Sequence, residues 1–351
     1  MGNKNLHNAR ITKNDEFYTQ YNDIQNEIDA YLEYNPNVFK DKTILLPCDD
    51  PEWSNFTKFF VQNFEKFGLK KLISTCYTNT KNNCQTDLFE NDDCSQIVNS
   101  HGKILIVTKD NLNSKWQYLK GDGDFRSSEI KALRDESDFI ITNPPFSLFR
   151  EFVSWIFETD KKFLIIGNMN AVTYKEIFPL IKDNKMWYGV SISSGDRRFN
   201  VPDSYPLNAS GCGIDDNNQK YIQVKGVRWF TNIDHGKRHK PLSLLTKDDN
   251  LRFNKKLKNP KYQNIYKKYD NYDAIEIPLT EVIPSDYDGV MGVPISFLDK
   301  YCPEQFKIID ISSKLANPIF VNGKRGSGRF YVNGKRLYDR IAIKKIKCKQ
   351  N

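Results

Sequence analysis

The chain has 351 residues, 39% of them hydrophobic and 27% charged, with a formal net charge of +8. That length predicts about two domains around a real core, and the composition excludes a disordered chain. No run approaches the roughly 18 apolar residues of a membrane helix and the first twenty residues hold no apolar signal core, so a soluble, cytoplasmic protein with no membrane partner is expected. KTILLP (42–47) reads as a short buried strand ending at Cys48-Asp49-Asp50-Pro51. SNFTKFFVQNFEKF then has helical spacing, with Ser54 as cap and Gly68 as stop. KKLISTCY (70–77) is a second strand, and the polar stretch 78–102 reads as an insertion. KILIVTK (103–109) and WQYLKG (116–121) read as a hairpin or two strands, and SSEIKALRDES (127–137) as a helix. DFIITN (138–143) is an apolar strand with a sharp end at Pro144-Pro145, followed by amphipathic FSLFREFVSWIFE (146–158). KKFLIIGN (161–168) is another buried strand, followed by the helix TYKEIFPLIKDN. Continuous apolar strands alternating with helices predict a parallel α/β sheet. GVRWFTNID (226–234) reads as one more strand of it. VNGKR occurs at 321–325 and 332–336, and Asn-Gly between β-prone flanks makes 328–346 a basic hairpin.

The charge is unevenly placed. Residues 237–268 hold eleven Lys/Arg against two Asp, residues 314–351 eleven against one, and the rest of the chain is net acidic. Two such segments, interleaved with Tyr262, Tyr266, Tyr269, Phe330 and Tyr331, point to a polyanion footprint. Seven scattered cysteines (Cys48, Cys76, Cys84, Cys94, Cys212, Cys302, Cys348) without a CxxC pair predict free thiols and no zinc site. His235 and His239 read as loop surface, and no metal is expected.

The strongest chemical signal is Asn143-Pro144-Pro145-Phe146, directly after an apolar strand. Strand ends at the carboxyl edge of a parallel sheet face the ligand crevice. Two prolines make the turn stiff and remove two donors. The Asn143 side-chain oxygen and a proline carbonyl then offer two acceptors to one exocyclic amino group. Phe146 supplies a stacking face. Together they form a receptor for an amino-heterocycle such as adenine.

Asn-Pro-Pro-Phe after a strand resembles the mark of amino-methyltransferases that use S-adenosylmethionine. Further segments, among them NDEFYTQY (14–21), CDDPEWSNF (48–56), GDGDFRSSE (121–129), TNPPFSLFRE (142–151) and DGVMGVPISFL (288–298), are similar to the EcoRI adenine-specific DNA methylase family. The match runs in order over most of the chain, with gaps at 78–118 and 191–268. The resemblance implies a doubly wound, Rossmann-like methyltransferase core over 1–235. It also implies a basic DNA target-recognition region over 236–351, of which 270–312 is open to packing back on the core. Asn143 and the Pro144 carbonyl would hold the adenine N6, and Phe146 would stack on a base flipped from the duplex. Accepting two hydrogen bonds pushes the amino nitrogen toward a more nucleophilic state, and direct attack on the sulfonium methyl needs no covalent enzyme intermediate.

The same resemblance places the cofactor. Asp49 or Asp50 would attract its sulfonium or amino group, although Pro51, Glu52 and Trp53 stand where a Gly-x-Gly turn is usual. Asp122 or Asp124 would accept from the cofactor's adenine, with Phe125 on its ring. Phe17, Tyr18 and Thr19 would cover its methionine end. No acidic residue ends the second strand, so the ribose partner is open. Arg325, Arg329, Lys335 and Arg336 are the DNA-binding candidates, and the resemblance suggests GAATTC as target. Double-stranded DNA is the expected partner of a monomer, and functional pairing with a restriction endonuclease is left open. Methylation at cytosine C5, for which Pro47-Cys48 is the nearest motif, lacks its sequence context. RNA adenine or protein glutamine methylation would use the same four-residue site, and a non-catalytic nucleic-acid-binding protein is a further reading.

Overall fold

The computed structural model describes residues 18–78, 101–193, 196–201, 205, 207, 211–262, 264–321, 324–326 and 328–346. The chain divides into two compact units, Met1–Met169 with Gly189–Ile233, and Asn170–Tyr188 with Asp234–Asn351. In chain order the elements begin with β1 (Tyr18–Thr19), α1 (Tyr21–Tyr34), β2 (Thr43–Leu46), α2 (Asn55–Gln62), β3 (Lys71–Cys76), β4 (Lys103–Thr108) and β5 (Gln117–Tyr118). Next come α3 (Ser128–Glu136), β6 (Phe139–Thr142), α4 (Phe149–Ile156), β7 (Lys162–Asn168), α5 (Phe178–Lys182) and β8 (Trp187–Tyr188). Then follow β9 (Asp196–Asn200), β10 (Cys212–Ile214), β11 (Lys220–Lys225), β12 (Val227–Thr231) and α6 (Lys247–Phe253).

Seven strands of the first unit form a sheet in the order β5-β4-β3-β2-β6-β7-β12. The middle strands β3, β2, β6 and β7 are parallel. Every residue of β2 (TILL) and β6 (FIIT) is buried, as continuous apolar runs require when both faces of a sheet are covered. The expectation of a parallel sheet holds only for this middle. β4 is antiparallel to β3, β5 to β4, and β12 to β7. A parallel neighbour needs a crossover, usually helical, and the polar 78–102 stretch has no apolar helical stripe to supply one. α2 begins where expected: the Ser54 side chain accepts from the Phe56 amide at 3.1 Å. It buries Phe56, Phe59 and Phe60 in a phenylalanine-rich core with Phe39, Phe64 and Phe67. A second, four-stranded antiparallel sheet, β1-β9-β11-β10, completes this unit.

The second unit contains a sheet of β13 (Lys268–Tyr269), β14 (Tyr272–Glu276), β15 (Met291–Pro294), β21 (Arg340–Lys345) and β16 (Phe306–Ile311), in that order. Segment 270–312 thus builds this unit's own sheet. α7 (Ser312–Leu315) follows β16. Two short ribbons lie between, β17 (Phe320–Val321) with β18 (Lys324–Arg325), and β19 (Tyr331–Val332) with β20 (Lys335–Arg336). The basic hairpin read from 328–346 is therefore only partly formed. Its Asn333-Gly334 turn has both φ angles positive, 53° and 72°, but β21 leaves it to pair with β15 and β16. The apolar alternation of RIAIKK finds a buried place there that a two-stranded ribbon lacks. The helix expected at 173–184 shortens to α5 and belongs to this unit. His235, expected on a surface loop, is buried with its Nε2 3.0 Å from the Tyr188 carbonyl, and burial lowers its pKa to about 4.

Candidate active site

β2 and β6 lie side by side and parallel, so both leave the sheet at one edge. β2 runs into Pro47-Cys48-Asp49-Asp50, and β6 into Asn143-Pro144-Pro145-Phe146. The strand order reverses between them, since β3 lies on one side of β2 and β6 on the other. Ligands of open α/β sheets bind outside the carboxyl ends of strands at such a switch point. Pro145 has φ −53° and its carbonyl accepts from the Leu148 amide at 3.0 Å, which starts a short 3-10 turn over Phe146–Leu148. Pro144 is buried, and Asn143 and Phe146 are half-buried.

Phe146 meets the edge of Phe199, with ring centroids 6.3 Å apart. Phe199 pairs across the small sheet with Thr19, whose carbonyl accepts from Asn55 Nδ2 at 2.7 Å. The structure thus brings the N-terminal motif, the start of α2 and the Asn-Pro-Pro-Phe turn together. The Thr19 hydroxyl is buried and has no hydrogen-bond partner among the described residues. Phe17 and the Tyr18 side chain lie outside the described residues.

The two aspartates after β2 do different work. Asp49 is buried; its Oδ1 accepts from Ser54 Oγ and its Oδ2 from Thr142 Oγ1, each at 2.6 Å. Burial pushes its carboxyl up to about 7, against the pull of those two hydroxyls. Asp50 keeps 20% side-chain exposure and pairs with Lys103 at 3.3 Å. Lys103 also pairs with Glu52 and sits 4.9 Å from the centre of the Trp116 ring. Cys76, which ends β3, points its Sγ at Asp50 Oδ2, 3.5 Å away. Burial, reinforced by Asp50, raises this thiol to about 12, so it is no nucleophile near neutral pH.

The 121–125 turn packs on the end of β3. Gly123 has φ +84°, and a Cβ there would stand 2.2 Å from the Cys76 carbonyl oxygen. Asp122 Oδ1 accepts the Asp124 amide at 3.0 Å. Asp124 is held by Arg126 through Nε at 2.9 Å and Nη2 at 2.6 Å, and the guanidinium keeps its carboxyl below the ordinary value. Phe125 is 5% exposed, edge-on to Phe152 and Trp155. Its ring is a core group in this arrangement, which leaves Asp122 and Asp124 as the polar groups of the turn.

A family model described as "Adenine-specific methyltransferase EcoRI" matches residues 5–346. This chain belongs to that family. It is 44% identical to the Type II methyltransferase M.EcoRI of Escherichia coli, over 95% of this chain and 98% of that protein. It is 36% identical to M.MpnI of Mycoplasma pneumoniae over 96% of each chain. It is 37% identical to M.MgeORF184P of Mycoplasma genitalium over 96% of this chain and 97% of that one. No solved structure matches.

The charge of an adenine-specific methyltransferase of this family divides with its units. The second unit holds 27 Lys/Arg against 15 Asp/Glu, and the first 25 against 29. Of the four basic candidates, Lys335 and Arg336 are exposed on the Asn-Gly ribbon. Arg329 is paired with Asp339 at 2.9 Å, so part of its charge is answered within the protein. Arg325 lies in β18, and its side chain is outside the described residues. Thr142, Phe199, Asn55 and Lys103 join the site without a sequence signal of their own. Thr142 hides in the apolar run FIIT, and Phe199 lies where the family resemblance is weakest.

Proposed function

We propose that this protein is a site-specific methyltransferase acting on the N6 amino group of adenine in double-stranded DNA, on a doubly wound core. The carrying observation is the Asn-Pro-Pro-Phe turn at the end of β6, beside the end of β2, in a chain of the EcoRI adenine-specific family. Asn143 Oδ1 and the Pro144 carbonyl accept the two amino protons of the base. This keeps the nitrogen lone pair out of the ring and aimed at one side. Phe146 stacks on the ring, and Phe199 holds Phe146 at its edge. The base enters by flipping, since N6 is not reachable inside the stack. Holding it in place supplies much of the acceleration.

The residues at the switch point fit S-adenosylmethionine. Asp50, Glu52 and Asp122 offer carboxylates to a ligand that carries a sulfonium and an ammonium group, and the buried Thr19 hydroxyl offers an unanswered polar atom. When bound, S-adenosylmethionine supplies an activated methyl group on a sulfonium. Unit two, with its excess of 12 positive charges, suits the phosphate backbone. Of the four basic candidates, Lys335 and Arg336 are exposed, and Arg325 lies ten positions before Lys335 in the chain. A functional partnership with a restriction endonuclease fits the Type II names of the relatives.

The test is methyl transfer from labelled S-adenosylmethionine into unmethylated DNA, total RNA and bulk protein, each alone. Label recovered from DNA as N6-methyladenine supports the reading, and sequencing of the product gives the target, GAATTC or another. Label in RNA or protein overturns the substrate. Cofactor binding without transfer to any of the three overturns the enzymatic reading.

A further inference from the structure

Asp49 stands at the place where a methyltransferase would present a carboxylate to its cofactor, yet its groups are turned to the protein. Ser54 Oγ and Thr142 Oγ1 each donate to one of its carboxylate oxygens at 2.6 Å. Its amide donates to the Thr75 carbonyl at 2.9 Å, and its carbonyl accepts from Ser74 Oγ at 2.7 Å. Thr57 Oγ1 lies 2.6 Å from Ser74 Oγ and extends the network into α2. One residue, 5% exposed, therefore ties the ends of β2, β3 and β6 and the cap of α2. Asp50, next in the chain, is the partly exposed one.

We propose that Asp49 is a positioning residue for the adenine-accepting turn, acting through Thr142, and that it is not a cofactor ligand. Thr142 precedes Asn143 by one peptide bond, so its side chain sets where the Asn143 and Pro144 acceptors leave the sheet. A β-branched residue is stiff at χ1, and a carboxylate gripping its hydroxyl removes the remaining freedom. Displacing reacting groups by about 1 Å costs on the order of 100-fold in rate. The elevated pKa of Asp49, about 7, makes the neutral form accessible near neutral pH, and Asn mimics that form. The cofactor role of the Asp49-Asp50 pair then falls to Asp50. This proposal rests on the methyl-transfer reading above.

The experiment compares wild type, Thr142→Val, Thr142→Ser and Asp49→Asn in the full chain. It measures the Kd for S-adenosylmethionine by equilibrium dialysis, and kcat and KM on DNA. Thr142→Val keeps the shape and removes the donor. It is expected to lower kcat by about 10- to 100-fold while the cofactor Kd stays within about threefold, and Thr142→Ser restores kcat. Asp49→Asn is expected to leave the cofactor Kd within about threefold. A loss of cofactor affinity of tenfold or more in Asp49→Asn, or wild-type kcat in folded Thr142→Val, overturns the proposal. If Thr142→Val fails to fold, the Asp49→Asn dissociation constant still decides the ligand question. Absence of transfer by the wild type refutes the methyl-transfer reading, and the cofactor measurement on Asp49→Asn remains decisive for Asp49.

Discussion

At the scale of single residues, Asn143 and Asp49 are polar groups just beyond neighbouring strand ends that stand in different surroundings. Asn143 is half-buried and stands one residue beyond the end of β6. Asp49 is enclosed by donors from its own chain. Asn143→Ala should therefore lower kcat by at least about 100-fold, the usual effect of removing a polar group aimed at the reacting centre. The cofactor Kd should change little. Single-turnover methyl transfer and equilibrium dialysis measure the two separately. His239 carries a pH prediction. Its Nε2 faces Asp234 and its Nδ1 faces Glu304, both at 2.9 Å. The Asp234 hydrogen bond, followed by Glu304, raises its pKa above the ordinary histidine value. A base whose folded pKa is raised contributes fully below its unfolded pKa of about 6.5. That contribution is lost as pH rises through the folded value. Urea midpoints for wild type and His239→Gln should converge between pH 6 and 9. A constant gap across that range would contradict the assignment.

At the scale of elements, two glycines separate conformational strain from crowding. Gly334 has φ +72° in the Asn-Gly turn, and a Cβ there meets nothing within 4 Å. Gly123 has φ +84° and its Cβ would meet the Cys76 carbonyl oxygen at 2.2 Å. Gly334→Ala should cost about 1–2 kcal/mol, the left-handed term alone. Gly123→Ala should cost more, and it should also shift the Asp122-Asp124 turn away from the end of β3. Chemical denaturation ranks the two, and cofactor affinity falls only for the second. The Asn-Gly turn was legible because its backbone needs are local. The crowding at Gly123 was not, since Cys76 is distant in sequence. The same distinction explains why the start of α2 and its Ser54 cap are legible in the sequence, whereas its end at Gln62, short of the expected Gly68 stop, and the partner of β21 are not. A cap is made within three residues, but β21 pairs with strands ending at Pro294 and Ile311.

At the scale of the whole molecule, the sequence shows a charge imbalance, and the structure resolves which charges stand exposed. Lys335 and Arg336 are exposed, and Arg329 answers Asp339. Replacing Lys335 and Arg336 by Ala should lower the slope of log K against log salt for DNA binding by about 2, roughly 0.9 for each phosphate no longer neutralised. Arg329→Ala should change that slope less and stability more. Fluorescence anisotropy at several salt concentrations distinguishes the cases. An unchanged slope in the double variant would place the DNA footprint elsewhere in the basic segments.

The amino-acid sequence by itself determined the buried strands, the capped helix, the stiff Asn-Pro-Pro-Phe turn at a strand end, and the membership of an adenine-specific methyltransferase family. The first three follow from apolar runs, local hydrogen bonding and restricted φ angles, all of which act over a few residues; the membership rests on the chain-wide match to the family. Only the tertiary structure decided that the sheet is mixed, that Phe125 packs on Phe152 and Trp155, and that segment 170–188 belongs with the basic unit. It alone joined Asp49 to Thr142, which are 93 positions apart. Local patterns fix which face of an element seeks burial. Which groups then meet depends on how strands far apart in the chain are laid beside one another, and no short-range preference encodes that.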